Sequence, residues 1–121
     1  MARNMSFMLT VEQYKARTKT VTRRNGWKFA QVGDVVNGCE KCQGLKKGEK
    51  IVKLGKHQWT DLRWEPLRRM IDDPAYGARE VVLEGFPEMT PQQFVDMYCR
   101  HNSCTPETMV HRMQFEYVGG E

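Results

Sequence analysis

The sequence predicts a small α+β domain, and three observations support this class. Short segments rich in β-branched and aromatic residues alternate with turn signals, which is typical of strands. Two segments, beginning at Thr10 and Thr90, carry helix-start signals. Residues 110–118 form a closing stretch that alternates like a strand. Several strands with two or three short helices favour a curled sheet packed against helices.

Length and composition limit the chain to one domain. Of its 121 residues, 40% are hydrophobic and 28% are charged, so we expect residues 1–121 to fold around one core. No segment approaches the roughly 20 apolar residues that span a bilayer. The first ten residues lack the apolar stretch of a secretory signal. We therefore expect a cytoplasmic protein without a membrane partner.

Local signals assign the helices. Thr10 and Gln13 have the spacing of a capping box, which predicts a short helix through Arg17. Thr90 and Gln93 repeat the box, with a proline between them at the first helical position, and predict the clearest helix start in the chain. The polar stretch at 70–78 is predicted to be a loop or a helical turn.

Period-two alternation and β-branched residues assign the strands. The segment at 57–67 is expected to be a long or bulged strand, and Gly44 and Gly48 are expected to flank a turn. In the last strand, Met113, Phe115 and Tyr117 should face one way, and Arg112, Gln114 and Glu116 the other. The predicted extended segments are 19–24, 35–36, 49–54, 57–67 and 110–118.

Positive charge is concentrated in one window. Nineteen basic and fifteen acidic residues give a net charge of +4. Between Gln13 and Asn37 the only acidic residue is Asp34, against six basic ones. Such a cluster can attract phosphate-bearing partners, although a solvated basic face is the alternative. The six are Lys15, Arg17, Lys19, Arg23, Arg24 and Lys28.

Four cysteines suggest a weak zinc hypothesis. Cys39 and Cys42 have C-x2-C spacing, and Cys99 and Cys104 supply a second group farther along the chain. Two such pairs can close a tetrahedral zinc site. The second pair does not have C-x2-C spacing, so reduced and unligated thiols are the alternative. No other metal or cofactor is expected.

Residues 19–24, with the sequence Lys-Thr-Val-Thr-Arg-Arg, concentrate groups that can carry chemistry. Alternate residues of an extended segment share a face, so Thr20, Thr22 and Arg24 project together, with Lys19 able to curl in beside them. Hydroxyl, ammonium and guanidinium groups at one place can hold an anion. They can also support hydroxyl chemistry if a carboxylate arrives from elsewhere, or they can simply pin the helix to the sheet.

This pattern resembles the ASCH domain. The resemblance consists of Lys-Thr-x-Thr-x-Arg after a short helix, a later Gly-Asp that opens a strand, and a distant Glu-Gly. Similar short phrases at 18–24, 44–50, 63–67, 84–87 and 115–117 extend the likeness over residues 5 to 118, as in phage- and bacterium-borne members. The family implies a small PUA-like β-barrel with two or three short helices. The matched residues are Lys19, Thr20, Thr22, Arg24, Gly33, Asp34, Glu84 and Gly85.

The resemblance implies two functions. ASCH domains are regarded as modules that bind RNA or other nucleic acids. A small bacterial branch consists of amidohydrolases that remove the acetyl group from N4-acetylcytidine, and its Lys, Thr and Glu correspond to Lys19, Thr22 and Glu84. In such chemistry the lysine accepts the threonine proton, and the glutamate protonates the departing amine. This chain is longer at 37–48 and 65–78, which can roof the pocket.

Further residues are expected to contact the ligand, which is RNA or a modified nucleoside. Base stacking suits Trp27, which lies among basic residues, whereas Trp59 is expected in the core. The three histidines, His57, His101 and His111, have no spacing that groups them. A third hypothesis is a phage-encoded protein that binds a host partner through its longer loops without catalysis. The expected ligand-contacting residues are Thr20, Arg23, Arg24, Trp27 and Lys28.

Overall fold

The α+β class is confirmed by the structure, a computed structural model that describes residues 3–42 and 45–119. The helices are α1 (Val11–Lys15), α2 (Arg69–Asp72), α3 (Pro74–Leu83) and α4 (Pro91–Asn102). The strands are β1 (Asn4–Ser6), β2 (Val21–Arg24), β3 (Val35–Cys39), β4 (Lys53–Pro66) and β5 (Met109–Val118). The strands of these ranges form one sheet, and the helices pack on it; β2, β3 and β4 follow one another along the chain, as do α2, α3 and α4.

The sheet has the strand order β1-β3-β4-β5-β2. Its centre is the long antiparallel pair of β4 and β5, whereas β1 runs parallel to β3 at one edge. The register of β4 shifts between Trp59 and Asp61, so the expected bulged strand is confirmed. The strand expected at 49–54 begins only at Lys53. The predicted turn before it forms, with the amide of Glu49 donating to the carbonyl oxygen of Lys46 at 2.9 Å, whereas Gly44 lies outside the described residues.

The predicted closed barrel is wrong. Among the described strands, β1 and β2 are the two edges of the sheet, and no backbone pairing joins them. They have three and four residues, too few to close a sheet across the molecule. Residues of both edge strands instead line one cavity, which occupies the gap that a closed sheet would fill.

Two helices differ from their predictions. In α1, Thr10 makes no side-chain capping bond, and Gln13 instead donates from Nε2 to the carbonyl oxygen of Gly85 at 3.1 Å. The stretch at 70–78, predicted as a loop or a helical turn, is mostly helical, because it holds most of α2 and the start of α3. Asp73 caps α3 by accepting from the amide of Tyr76, and a proline follows at the first helical position. The capping box of α4 at Thr90 is confirmed.

The interior has two clusters. The helical cluster joins α2, α3 and α4 to β5 through Met70, Val81, Val95 and Val110. The aromatic cluster packs α1 against the sheet, and Trp59 in it is only 1% exposed, as expected of a core residue. None of the described helices is both long and apolar enough to cross a membrane. We define the aromatic cluster as Phe7, Tyr14, His57, Trp59 and Phe115.

Candidate functional site

A cavity of about 430 Å³ lies between the two edges of the sheet and helix α4. We call it the main cavity. It collects residues from β1, β2, the end of α3 and α4, which are distant in the sequence. Its volume is within the range of small-molecule sites. Its walls combine polar residues with aromatic ones: Lys19, Thr22, Arg24, Glu84, Trp27, Phe86, Phe94 and Tyr98.

Lys19 and Glu84 form a buried ion pair in this cavity. The ammonium Nζ of Lys19 donates to Oε1 and to the backbone carbonyl oxygen of Glu84, both at 2.8 Å. Each side chain is 3% exposed. Burial lowers the pKa of Lys19, and the charges of Arg24 and Arg23 lower it further, whereas Glu84 opposes the shift. The amine is therefore closer to its neutral, basic form than an exposed lysine.

The end of α3 positions the Glu84 carboxylate. Gly85 has a left-handed backbone with φ of 99°, and the amide of Phe86 donates to the carbonyl oxygen of Val81 at 2.8 Å. This is a glycine C-cap, which favours a residue without a side chain. A Cβ on Gly85 would also lie 3.0 Å from Cγ of Gln13 and 3.5 Å from Cβ of Lys19. The Glu-Gly pair thus lets α3 end directly over Lys19.

Arg23 holds the same carboxylate from the other side. Its Nη1 donates to Oε2 of Glu84 at 2.9 Å, and its Nη2 donates to Glu80 at 2.5 Å and to Glu65 at 3.2 Å. The side chain is fully buried. Burial lowers the pKa of Arg23, but the surrounding carboxylates outweigh this and raise it. Arg23, predicted as a ligand contact, is therefore bonded mainly to the protein.

These ions belong to a larger buried group, which we call the charge network. Arg112 donates from Nε and Nη2 to the two oxygens of Glu80 at 2.7 and 2.9 Å. The sequence placed Arg112 on the face opposite Met113, and its pairing explains why this arginine is nevertheless buried. The charge network consists of Lys19, Arg23, Glu65, Glu80, Glu84 and Arg112.

Arg24 differs from its neighbour Arg23. Its Nε donates to Oγ1 of Thr22 at 3.0 Å, and its guanidinium carbon lies 5.0 Å from the ring centre of Phe7. Among the described residues, no carboxylate forms a direct ion pair with Arg24. Burial lowers its pKa. The structure therefore presents a partly buried cation to the main cavity, without a paired anion among the described residues.

Of the other predicted ligand contacts, one lines the main cavity and two do not. Trp27 is partly buried and lines the main cavity. Thr20 does not line it, because its amide donates to Leu83 and its carbonyl oxygen accepts from Phe115, both at 2.9 Å. Lys28 is exposed and also lies outside the cavity lining. The main cavity brings together the other predicted site residues, which are Lys19, Thr22, Arg23, Arg24 and Glu84.

Sequence reasoning missed the aromatic wall. Phe94 and Tyr98 are buried residues of α4, and both line the main cavity. The hydroxyl of Tyr98 donates to Oδ1 of Asn25 at 2.6 Å, which ties α4 to the turn after β2. Phe86 follows the Glu-Gly pair directly, so that pair was the one local signal for this wall.

The zinc hypothesis is wrong for the described residues. No group of three or more His, Cys, Asp or Glu side chains among them is arranged to hold a metal ion. Cys39 ends β3, whereas Cys99 and Cys104 pack against the helical cluster. Burial raises the pKa of both Cys39 and Cys99 to about 11, which favours thiols over the thiolates that bind zinc.

Comparisons with known proteins show a shared fold. No family model and no curated protein matches the sequence. Among solved structures, the hypothetical protein PH0355 is 15% identical, with a TM-score of 0.64 over 98% of this chain and 100% of that one. The protein EF3133 from Enterococcus faecalis V583, of family DUF984, is 11% identical, with a TM-score of 0.59 over 97% and 79% of the two chains. The chain thus has the fold of a small α+β domain found in both.

Proposed function

We propose that the chain is an ASCH-type protein that binds RNA or a modified nucleoside in the main cavity. The observation that carries the proposal is the meeting of Lys19, Thr22, Arg24 and Glu84 in one cavity of about 430 Å³. Lys19 and Glu84 are 65 residues apart in the sequence, yet their side chains are in contact. These are residues on which the ASCH resemblance depends.

The walls suit a nucleobase. Trp27, Phe94 and Tyr98 offer aromatic surface on which a base can stack. Arg24 offers a planar cation that can donate to a carbonyl or phosphate oxygen. Because Arg24 has no paired carboxylate among the described residues, the ligand can supply the acceptor that the protein does not.

Calorimetric titration with cytidine and N4-acetylcytidine tests this proposal. We expect saturable binding of at least one nucleoside. Arg24→Met should weaken it by about 10- to 100-fold, since a hydrogen bond to a charged group contributes about 1.5–3 kcal/mol. Arg79→Met, on the exposed surface of α3, is the matched control and should bind normally. Absence of binding to both nucleosides and to RNA would refute the proposal.

A second candidate function is hydrolysis of N4-acylated cytidine. Two observations favour it: the pKa of Lys19 is lowered, and the Thr22 side chain lies in the same cavity. The Thr22 oxygen attacks the acyl carbonyl carbon, and the neutral amine of Lys19 takes the hydroxyl proton. The C–N bond breaks, the proton passes to the departing N4 amine, and an acyl ester remains on Thr22. Water then hydrolyses that ester to the carboxylate and restores the hydroxyl. Glu84 stabilises the transient ammonium at 2.8 Å.

Chromatography of N4-acetylcytidine incubated with the protein tests this candidate. We expect cytidine and acetate, with turnover reduced about 10²- to 10⁴-fold in Lys19→Met, as for other proton-transfer groups. Thr22→Val should abolish turnover, while Thr22→Ser restores part of it. Lys15→Met replaces an exposed lysine in α1 and should act normally. Bound but unhydrolysed N4-acetylcytidine in the wild type would refute catalysis and leave the binding proposal standing.

A further inference from the structure

A second cavity of about 210 Å³ adjoins the main one. Its walls come from β3, the loop before it, β4 and the residue that precedes β1. Trp27 lines both cavities, so one side chain is shared between them. The residues that matter here are Arg3, Trp27, Phe29, Asp34 and Trp59.

The backbone at Trp27 is unusual. Its φ is 65°, in the left-handed region that bulky residues rarely occupy. Such outliers concentrate at binding and active sites, where the surroundings hold them in place. The indole is fixed there by ring contacts, with centroids 5.2 Å from Phe29 and 6.2 Å from Trp59. The fold thus keeps an uncommon conformation that sets an aromatic wall at the boundary of two cavities.

The outer side of the second cavity resembles a stacking platform. Phe29 is 51% exposed, and the guanidinium of Arg3 lies over its ring at 3.9 Å. Stacked arginine and aromatic planes are surfaces on which unpaired bases pack, and the cation also attracts phosphate. Val32 and Val35 extend the exposed apolar surface nearby. Asp34 lines the same cavity. Its Oδ2 accepts from the amide of Gln31 at 3.0 Å, and a carboxylate has further lone pairs that can accept from an exocyclic amino group of a base.

We propose that the second cavity binds the neighbouring base of a single-stranded RNA whose target base occupies the main cavity. This rests on the proposed function and makes an oligonucleotide, rather than a free nucleoside, the ligand. Trp27 separates the two bases, as an inserted aromatic side chain does when it replaces base-on-base stacking. Arg3 and Phe29 hold the outer base.

Two probes test the proposal: N4-acetylcytidine, and a five-nucleotide RNA with that base at its centre between adenosines. Binding is measured by competition, with probe integrity checked by chromatography. We expect the RNA to bind at least tenfold more tightly than the nucleoside. Phe29→Ala should lower RNA affinity by roughly 5- to 150-fold, the range for losing one stacked base, without changing nucleoside affinity.

Controls separate base stacking from charge and from misfolding. Trp64→Ala removes another exposed aromatic residue, one that lines neither cavity, and should leave both affinities unchanged. Trp27→Gly suits the left-handed backbone, so we expect it to fold and to weaken both probes. RNAs with an abasic site on the 5′ or the 3′ side of the target show which neighbour is bound, and one of them should lose the added affinity.

The outcomes distinguish this inference from the function on which it rests. Equal affinity for nucleoside and RNA, full affinity of both abasic RNAs, or no effect of Phe29→Ala would overturn the second base site. Nucleoside binding would still support the main cavity in those cases. Failure of both probes to bind would overturn the proposed function and this inference together.

Discussion

The charge network and the aromatic cluster handle buried polar groups in opposite ways. In the charge network, carboxylates and guanidinium groups pair as ions, as Glu80 pairs with Arg23 and Arg112. In the aromatic cluster, His57 is kept neutral: burial lowers its pKa to about 3, and the Arg24 charge adds to this. Its Nδ1 shares a hydrogen bond of 2.9 Å with the Tyr14 hydroxyl.

The same difference distinguishes Arg24 from its neighbour Arg23. Arg23 and Arg24 are adjacent in β2, so their side chains leave the strand in opposite directions. Arg23 enters the charge network, whereas Arg24 lies over Phe7 of the aromatic cluster. Removing a cation from water without a paired carboxylate costs folding stability, and the cation–π contact with Phe7 offsets only part of that cost. Arg23 is thus held by carboxylates of the protein, whereas the guanidinium of Arg24 has no such partner among the described residues.

The largest expected effect comes from Arg23. Arg23→Met leaves three buried carboxylates with one fewer cation, so we expect the free energy of unfolding to fall by about 3–5 kcal/mol. Urea denaturation followed by circular dichroism measures it. Arg24→Met is the matched control, because it removes a partly buried cation that has no direct carboxylate partner among the described residues. We expect it to be neutral or stabilising; equal losses in the two variants would contradict the comparison.

The second-largest expected effect is a dependence of folding stability on pH, which arises from His57 in the aromatic cluster. With a pKa of about 3 in the folded protein and 6.5 unfolded, His57 takes up a proton on unfolding between these values. The stability that depends on neutral His57 is therefore complete above pH 6.5 and falls by about 1.4 kcal/mol for each pH unit between these two values. Urea denaturation at pH 7, 6 and 5 should show this slope in the wild type and lose most of it in His57→Phe.

Other titratable groups also contribute to the pH dependence of stability, each in its own pH range. Burial also lowers the pKa values of His111 and Lys19, so a smaller slope should remain in His57→Phe. Burial raises the pKa values of Glu65 and Glu80, but their hydrogen bonds and ion pairs outweigh it and lower them below 4.5. Their contribution is lost only as the pH falls through those lowered values. An unchanged slope between pH 6.5 and 5 in His57→Phe would show that His57 is not its source.

The smallest expected effect concerns packing in the aromatic cluster. A Cβ on Gly38 would lie 2.2 Å from Cζ of Tyr14, so Gly38→Ala displaces that ring. We expect a loss of about 1–3 kcal/mol, typical of an overpacked core. Gly26→Ala is the control, since nothing lies within 4 Å of its added Cβ. Thermal unfolding of both variants checks this, and a neutral Gly38→Ala would mean that the cluster is loosely packed.

Predictions from local sequence signals were correct where the structure depends on residues close together in the sequence. The capping box at Thr90 needs only residues three positions apart, and it forms as predicted. The identical spacing at Thr10 forms no capping box, because the Gln13 side chain instead donates to the carbonyl oxygen of Gly85, 72 residues away. Helix α3 was missed because Glu80 and Glu84 look polar in sequence, although their arginine and lysine partners allow both to be buried.

The amino-acid order alone determines the α+β class, the bulged central strand and the grouping of reactive side chains along residues 19–24, because periodicity and capping act between near neighbours. Tertiary structure alone determines that the sheet stays open, that the cysteines do not form a zinc site, and that Arg23 is paired while Arg24 is not. Those outcomes depend on burial and on partners such as Glu84, 61 residues beyond Arg23, which no local pattern specifies.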